Sequence, residues 1–524
     1  MTDFFKILRG PLAVLLAAAL LCSFCGCGFL YGGADISEIL GASDPQDEPS
    51  DDNRQPRSFS LAYYTQESLD PYTSASRTNT ELLRLCYSGL FSVDGEYNAL
   101  PVLAESYEVN GNTVTVTLRS DVVFSDGTVV TAEDCKNSYD RAAKKDSIWK
   151  DAFSHIRSYK AVDRTTFQII FRSYAPTQLN LLTIPIVKQG STDPAGYPVG
   201  CGRYRFDSTG GMYLVKTDCH CFVGSYSVDR ILLTGIADRE ALIYNFNYGK
   251  IQAVCADLSL GAEEYRSDNE IVTVPTNRFT YLGVNRSKAE LADVNFSKGL
   301  TYLIDRKKVV SEALNGFATP VWAPLNPAWS VTKQAELNPD ITSTISAGNA
   351  FTEAGFVLDG SVRKYRGKDV TLRLLVNREN ASRVKAAQEI AAALTEAGFS
   401  VEVVQETWDR YQTSLKTLDF DLYLGEVNLP DNLDLSALFT GDVCLTGEPA
   451  GTYEALRQEA LTLLDGTGDV RTFVSNFQYA LPLIPLYYSV DALAVSMDVT
   501  GDFGGSVSEF YAGIENWVFT DRKS

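Results

Sequence analysis

The sequence predicts a large globular protein of mixed strand and helix, folded as two or three compact lobes. Three observations carry this. At 524 residues the chain is too long for one ordinary core. Its hydrophobic fraction of 45% supplies enough apolar surface for several. Residues 114–142, VTVTLRSDVVFSDGTVVTAEDCKNSYDRA, change period along their length. Val114, Val116 and Leu118 alternate with threonines as in a half-buried strand, and Asp126-Gly127 supplies the positive-φ positions of a tight turn. Thr131 then caps a helix, with Asp134 reaching back to the cap and favouring the positive helix end. The expected order is strand, turn, strand, helix.

Composition narrows the function classes. A formal charge of −20 argues against nucleic acid, whose phosphates require clustered Lys and Arg. Aromatics are 11% of the chain, with 27 Tyr against 5 Trp, which suits a large wettable cavity as well as ordinary core packing. Of the ten cysteines, Cys22, Cys25 and Cys27 fall in the N-terminal apolar stretch. The others are scattered, and only Cys219-His220-Cys221 approaches metal-ligand spacing. In a strand, His220 would point away from both cysteines, so no metal site is expected there. With only His155 and His220 in the chain, and no G-x-S-x-G, H-E-x-x-H or glycine-rich phosphate loop, an enzyme is not expected and no cofactor is implied.

The first segment, MTDFFKILRGPLAVLLAAALLCSFCGCG, has a basic start at Lys6 and Arg9, an apolar run from Pro11 to Leu21, and then small residues. That is the build of an export signal, read as residues 1–26 with cleavage after Gly26. It resembles a bacterial lipobox, which implies acylation of Cys27, although Phe24 and Cys25 depart from the usual pattern. The alternative is an uncleaved membrane anchor from Pro11 to Leu30. Either way the chain is expected on the outer face of the cell membrane. Residues 27–57 come next, rich in Asp, Glu, Pro, Gly and Ser from Tyr31 onward, and read as a flexible acidic tether with a mean reach of roughly 30 Å.

From Ser58 the order of elements becomes diagnostic. A strand leads into the Leu69-Asp70-Pro71 turn and a helix ending near Tyr87-Ser88-Gly89-Leu90-Phe91. Leu118-Arg119, Phe124-Ser125-Asp126-Gly127 and Thr131-Ala132-Glu133-Asp134 come next, then Pro198-Val199-Gly200-Cys201-Gly202-Arg203-Tyr204. The run from Tyr281 includes Ile304-Asp305-Arg306 and Gly316-Phe317-Ala318-Thr319-Pro320, and LPLIPLYYSVDALAVS lies near the end. Together these resemble the family 5 extracellular solute-binding proteins of ABC importers, the class of oligopeptide- and dipeptide-binding proteins. Gln252, where the family has an acidic residue, and the loss of an Asn-x-x-Tyr-Trp motif around Asp218 to Tyr226 are departures.

The resemblance implies an α/β, two-lobed clamp of the periplasmic-binding-protein type, class II, with an extra subdomain. Lobe one would comprise residues 58–75, 195–280 and 486–524, with the subdomain 76–194 inserted, and lobe two residues 281–485. Crossings near Arg278–Val284 and Ile484–Tyr488 would form the hinge. The implied function is capture of di- or oligopeptides and delivery to ABC permease subunits by a monomer, with a receptor or importer component for a sugar or metal chelate as the alternative. Alignment on Pro430-Asp431-Asn432 places Glu426 where the family's acid pairs with a peptide α-amino group; otherwise it is a solvated loop acid. Arg378, ahead of the long lobe-two helix, is matched to an arginine that takes the peptide carboxylate, with Arg383 inside the helix as the other candidate. Tyr423 is expected to line the same space.

Overall fold

The turn at Asp126-Gly127 is where the sequence places it, with Gly127 at φ +83°. These observations come from a computed structural model, which describes residues 58–520 apart from 220–221, 223–225, 257–264, 266–268, 336–339 and 442–443. The strand expected after the turn is only a single bridge, Val123 to Val129. Strand Thr113–Leu118 instead pairs with Ala104–Asn110 and Thr166–Phe171 in a four-stranded antiparallel sheet. Its alternation fits that sheet: Val114, Val116 and Leu118 are buried and the threonines are not. Thr131 and Asp134 form the reciprocal cap, and helix Ala132–Ala142 begins there. Asp70 of the Leu-Asp-Pro turn bonds Arg141 of this helix at 2.7 Å, so two motifs distant in sequence hold each other.

The glycines of Pro198–Tyr204 have a steric reason. A Cβ at Gly200 would lie 2.3 Å from the Cys86 carbonyl oxygen, and one at Gly202 would lie 2.4 Å from its carbonyl carbon. The chain passes so close to the end of the first helix that no side chain fits. The Ile304-Asp305-Arg306 motif is also structural. Asp305 caps helix Arg306–Leu314 by accepting from the Lys308 amide. Arg306, fully buried, donates to the carbonyls of Pro485, Thr301 and Ile304 and so fastens that helix to a neighbouring strand. Burial pulls its pKa down to about 9.

An eleven-stranded mixed sheet organises the rest. Two long antiparallel strands, Asn269–Val284 and Ile484–Ser496, lie side by side at its centre. On one side it continues through Ala253–Ala256, Ser60–Tyr64, Arg230–Ile236 and two further strands. On the other it continues through Leu422–Asn428, Thr371–Asn377 and Ser400–Glu406. The second long strand changes neighbours midway. Ala492 to Val495 face Ala253–Ala256, whereas Tyr487 to Ser489 face Ala318–Pro320.

Where the neighbours change, the ladder between the long strands breaks. Pro275 is opposite Val490 and Phe279 is opposite Tyr488, so four steps on one strand match two on the other. Thr276, Asn277 and Arg278 are thrown out of the ladder as a bulge, which bends the strand and re-aims their side chains. Separate apolar cores flank this break. One joins Leu61, Val114, Phe167 and Trp517, uniting the four-stranded sheet with one end of the large sheet. Another joins Leu282, Phe296, Leu374 and Ile484 at the other end.

The segments 1–26 and 27–57, with the lipidation residue Cys27, lie outside the described residues, as do His220 and Cys221. No helix among the described residues is long and apolar enough to cross a membrane.

Candidate functional site

The bulge opens onto a cleft of about 880 Å³, toward the upper end of the range for small-molecule sites. Its walls come from distant parts of the chain: the helix of Arg77 and Arg84, the turn carrying Trp149 and His155, the bulge itself, Asp491, and the loop from Asn428 to Ser436. The charges are ordered. Arg77 pairs with Glu81 at 3.2 Å and Asp491 at 3.1 Å, Arg84 with Glu81 at 3.4 Å, and Arg278 with Asp491 at 2.7 Å. Burial works against the charge on Arg77, but the two carboxylates outweigh it and raise its pKa.

Across the cleft, Asp431 accepts from the Asn277 amide at 2.8 Å. Burial raises its pKa, with Arg84 and Arg77 acting in the opposite direction. His155 lies 4.0 Å from Asp434 and 3.5 Å from the Asn432 amide, and Asn432 also bonds Gln178 at 3.1 Å. The pKa of His155 is lowered by burial, with Asp434 pulling it upward. These contacts join two sides of the cleft.

The residues singled out from sequence are not brought together. Glu426 lies in a side pocket of about 60 Å³ that shares Arg278 with the cleft. Its carboxylate already has a cation, Arg383, at 3.6 Å, and lies 3.4 Å from the Thr280 hydroxyl. Arg378 is exposed and lines neither cavity, while Arg383 is the arginine that reaches the side pocket.

Tyr423 is a core residue, only 1% exposed, and so does not line the space expected of it. Its ring lies across Gly283, where a Cβ would come within 2.0 Å of it. Its hydroxyl accepts from the Leu445 amide at 3.0 Å. Strand parity gives the reason: residues three apart point to opposite faces, so Tyr423 and Glu426 cannot share one. The row Arg77, Glu81, Arg84 was missed from sequence, although its 4-3 spacing marks one helix face. Arg278 depends on a bulge that no local pattern announces.

Comparison with known proteins bears on this geometry. The family model for bacterial extracellular solute-binding proteins, family 5 middle, matches residues 98–441. The glutathione-binding protein GsiB of Escherichia coli K12 is 27% identical over 307 residues, which are 55% of this chain and 59% of that one. The chain thus spans about three-fifths of the length of the curated relatives it matches. The nickel ABC transporter structure from Bacillus halodurans superposes with a TM-score of 0.72 at 20% identity, covering 88% of this chain and all of that one. The oligopeptide-binding protein AppA of Bacillus subtilis, solved with a nonapeptide, gives 0.60 at 18% identity, covering 89% and 100%. At these identities the two structures establish the two-lobed clamp fold.

Proposed function

Since the chain belongs to the bacterial extracellular solute-binding proteins of family 5, we propose that it captures a di- or oligopeptide between its lobes and delivers it unaltered to an ABC permease. The observation that carries this reading is the position of the cleft. It lies where the ladder between the two long strands breaks, and Thr276, Asn277 and Arg278 of the bulge form part of its wall. A change in the angle between the lobes therefore opens or closes the ligand space directly. The wall carries guanidiniums, carboxylates and side-chain amides, the groups needed to satisfy a peptide's two termini and backbone once water is excluded. A relative solved with a nonapeptide and another described as glutathione-binding are consistent with such a ligand.

In this reading Glu426 receives the ligand's ammonium and the protein is a monomer held on the outer face of the membrane by acylated Cys27. The test is mass spectrometry of the small molecule released when protein purified from its native host is denatured. Peptides are the expected finding; a sugar or a metal chelate in stoichiometric amount would replace the peptide reading with a non-peptide one.

A further inference from the structure

One row of ion pairs in the wall of the cleft holds more arginines than carboxylates. Along one row the order is Arg84, Glu81, Arg77, Asp491, Arg278, each neighbour an ion pair of 2.7 to 3.4 Å. The row begins and ends on arginine. Its carboxylates are withdrawn, with side-chain exposures of 0% for Glu81 and 6% for Asp491, while Arg77 and Arg278 keep 43% and 33%. All three arginines line the cleft, and Glu81 does not. Glu81 therefore sits behind the guanidiniums, Asp491 stands between Arg77 and Arg278 in the wall and orients both, and the row keeps one surplus positive charge, set against Asp151, Asp431 and Asp434 elsewhere in the wall.

The row also joins three separate pieces of structure. Arg77, Glu81 and Arg84 share one face of a helix whose N-cap is Ser76. Arg278 comes from the bulge, and Asp491 stands on the second long strand where it changes neighbours. The nearest opposing acid, Asp431, accepts from Asn277 and makes no ion pair among the described residues. It subtracts from the field of the row without neutralising any one arginine.

We propose that Arg77 and Arg278, supported by Arg84, form the seat for a carboxylate of the ligand, which for a peptide is its C-terminal carboxylate. This rests on the reading of the cleft as the solute site. It assigns the anionic end of the ligand to the lobe-one helix and the bulge, away from Arg378. Guanidinium suits the role because its fixed fork grips a carboxylate through two parallel hydrogen bonds. Because Arg278 and the Asp491 that orients it stand where the sheet breaks register, a carboxylate bound there ties the helix to the hinge.

The experiment uses the purified full chain with three probes: trialanine, trialanine C-terminal amide, and citrate, the last against sodium chloride at equal ionic strength. Calorimetry and thermal melting are the readouts. Citrate is expected to raise the melting temperature of the wild type, and trialanine to bind about thirtyfold or more tightly than its amide. Arg77→Gln and Arg278→Gln should abolish both effects, Arg278→Lys should keep part of them, and Asp431→Asn should strengthen the citrate effect by removing the opposing charge. Lys333→Gln, on a surface pair with Glu96 away from the cleft, should change neither.

A wild type indifferent to citrate overturns the seat, as does an undiminished citrate effect in a folded Arg77→Gln or Arg278→Gln protein. If either glutamine variant fails to fold, Arg278→Lys and Asp431→Asn still decide: a citrate effect unchanged in both overturns the seat. Citrate binding without peptide binding would remove the peptide reading and keep the carboxylate seat. Equal binding of trialanine and its amide, with citrate inert, would do the reverse.

Discussion

Replacing Glu426 by Gln keeps the shape of the side chain and removes its charge, and the surroundings of the carboxylate set the size of the effect. Arg383 stands 3.6 Å from the Glu426 carboxylate, with side-chain exposures of 15% and 24%. Breaking a fully buried pair costs about 3–5 kcal/mol, and an exposed one about 0.2–1 kcal/mol. A pair this far from either limit should cost about 1–2 kcal/mol. For a folded body of this size that is a fall of about 1–2 °C in melting temperature, since the unfolding entropy grows with chain length. A ligand ammonium at Glu426 must share a carboxylate that Arg383 already occupies, so its gain should sit near the lower end of the range for a buried charge pair, about 2 kcal/mol or roughly thirtyfold in affinity. The assay is calorimetry on a four-member cycle: wild type and Glu426→Gln, each with trialanine and N-acetyl-trialanine. Acetylation should cost the wild type about thirtyfold and the variant little more than the substitution alone. A melting temperature that falls while the acetylation penalty is the same in both proteins would show that Glu426 serves Arg383 and not the ligand.

Four further outcomes depend on single residues. Burial lowers the pKa of His155 below the ordinary 6.5, despite Asp434 at 4.0 Å. The unfolded chain therefore takes up this proton first, so the stability is full above about pH 6.5 and is lost as pH falls through the folded pKa. His155→Gln should flatten the difference in melting temperature between about pH 7.5 and about pH 5.5, and an unchanged difference would place the titration elsewhere. Gly202→Ala drives a Cβ against the backbone of Leu85 and Cys86, at 2.5 and 2.4 Å, and should cost about 3 kcal/mol in urea unfolding. Gly504→Ala meets nothing within 4 Å and should stay within about 0.5 kcal/mol of wild type. If Cys27 is the acylated residue, Cys27→Ser should abolish acyl labelling and either release the protein or leave it uncleaved; retained labelling would move the acylation to Cys25 or Cys22.

How much of the fold was legible in the sequence depended on the range of the interaction. Thr131 and Asp134 cap their helix because both partners lie within one turn of chain, and the alternation of Val114, Val116 and Leu118 reports burial because a strand's period is local. The expected strand after Asp126-Gly127 shrank to one bridge because the neighbours of Thr113–Leu118 are supplied from 104–110 and 166–171. Which strand pairs with which is a tertiary outcome that a turn signal does not fix. Tyr423 could have been set aside from sequence alone, since three residues separate it from Glu426 in a strand and parity puts them on opposite faces.

The candidate site was the least legible part because it is assembled from exceptions to local order. Arg278 reaches the cleft through a bulge, and Asp491 meets both Arg77 and Arg278 only because the second long strand passes from one set of neighbours to another at that point. Arg77, Glu81 and Arg84 read in sequence as a helix-surface charge pattern, in which the acid would be solvated and the pairs worth about a few tenths of a kcal/mol each. Folding reverses that weighting by burying the acid completely. A buried carboxylate holds its guanidiniums in fixed positions, whereas an exposed one lets them wander, so the same three residues change from surface decoration to an oriented row of donors. The side pocket shows the converse. Glu426 reads in sequence as an acid waiting for a ligand's cation, and the fold supplies a cation of its own from the helix Ala381–Glu396 in Arg383. Net charge in a cleft of this kind is decided by which acids are buried behind which bases, a relation fixed only once the two long strands lie side by side.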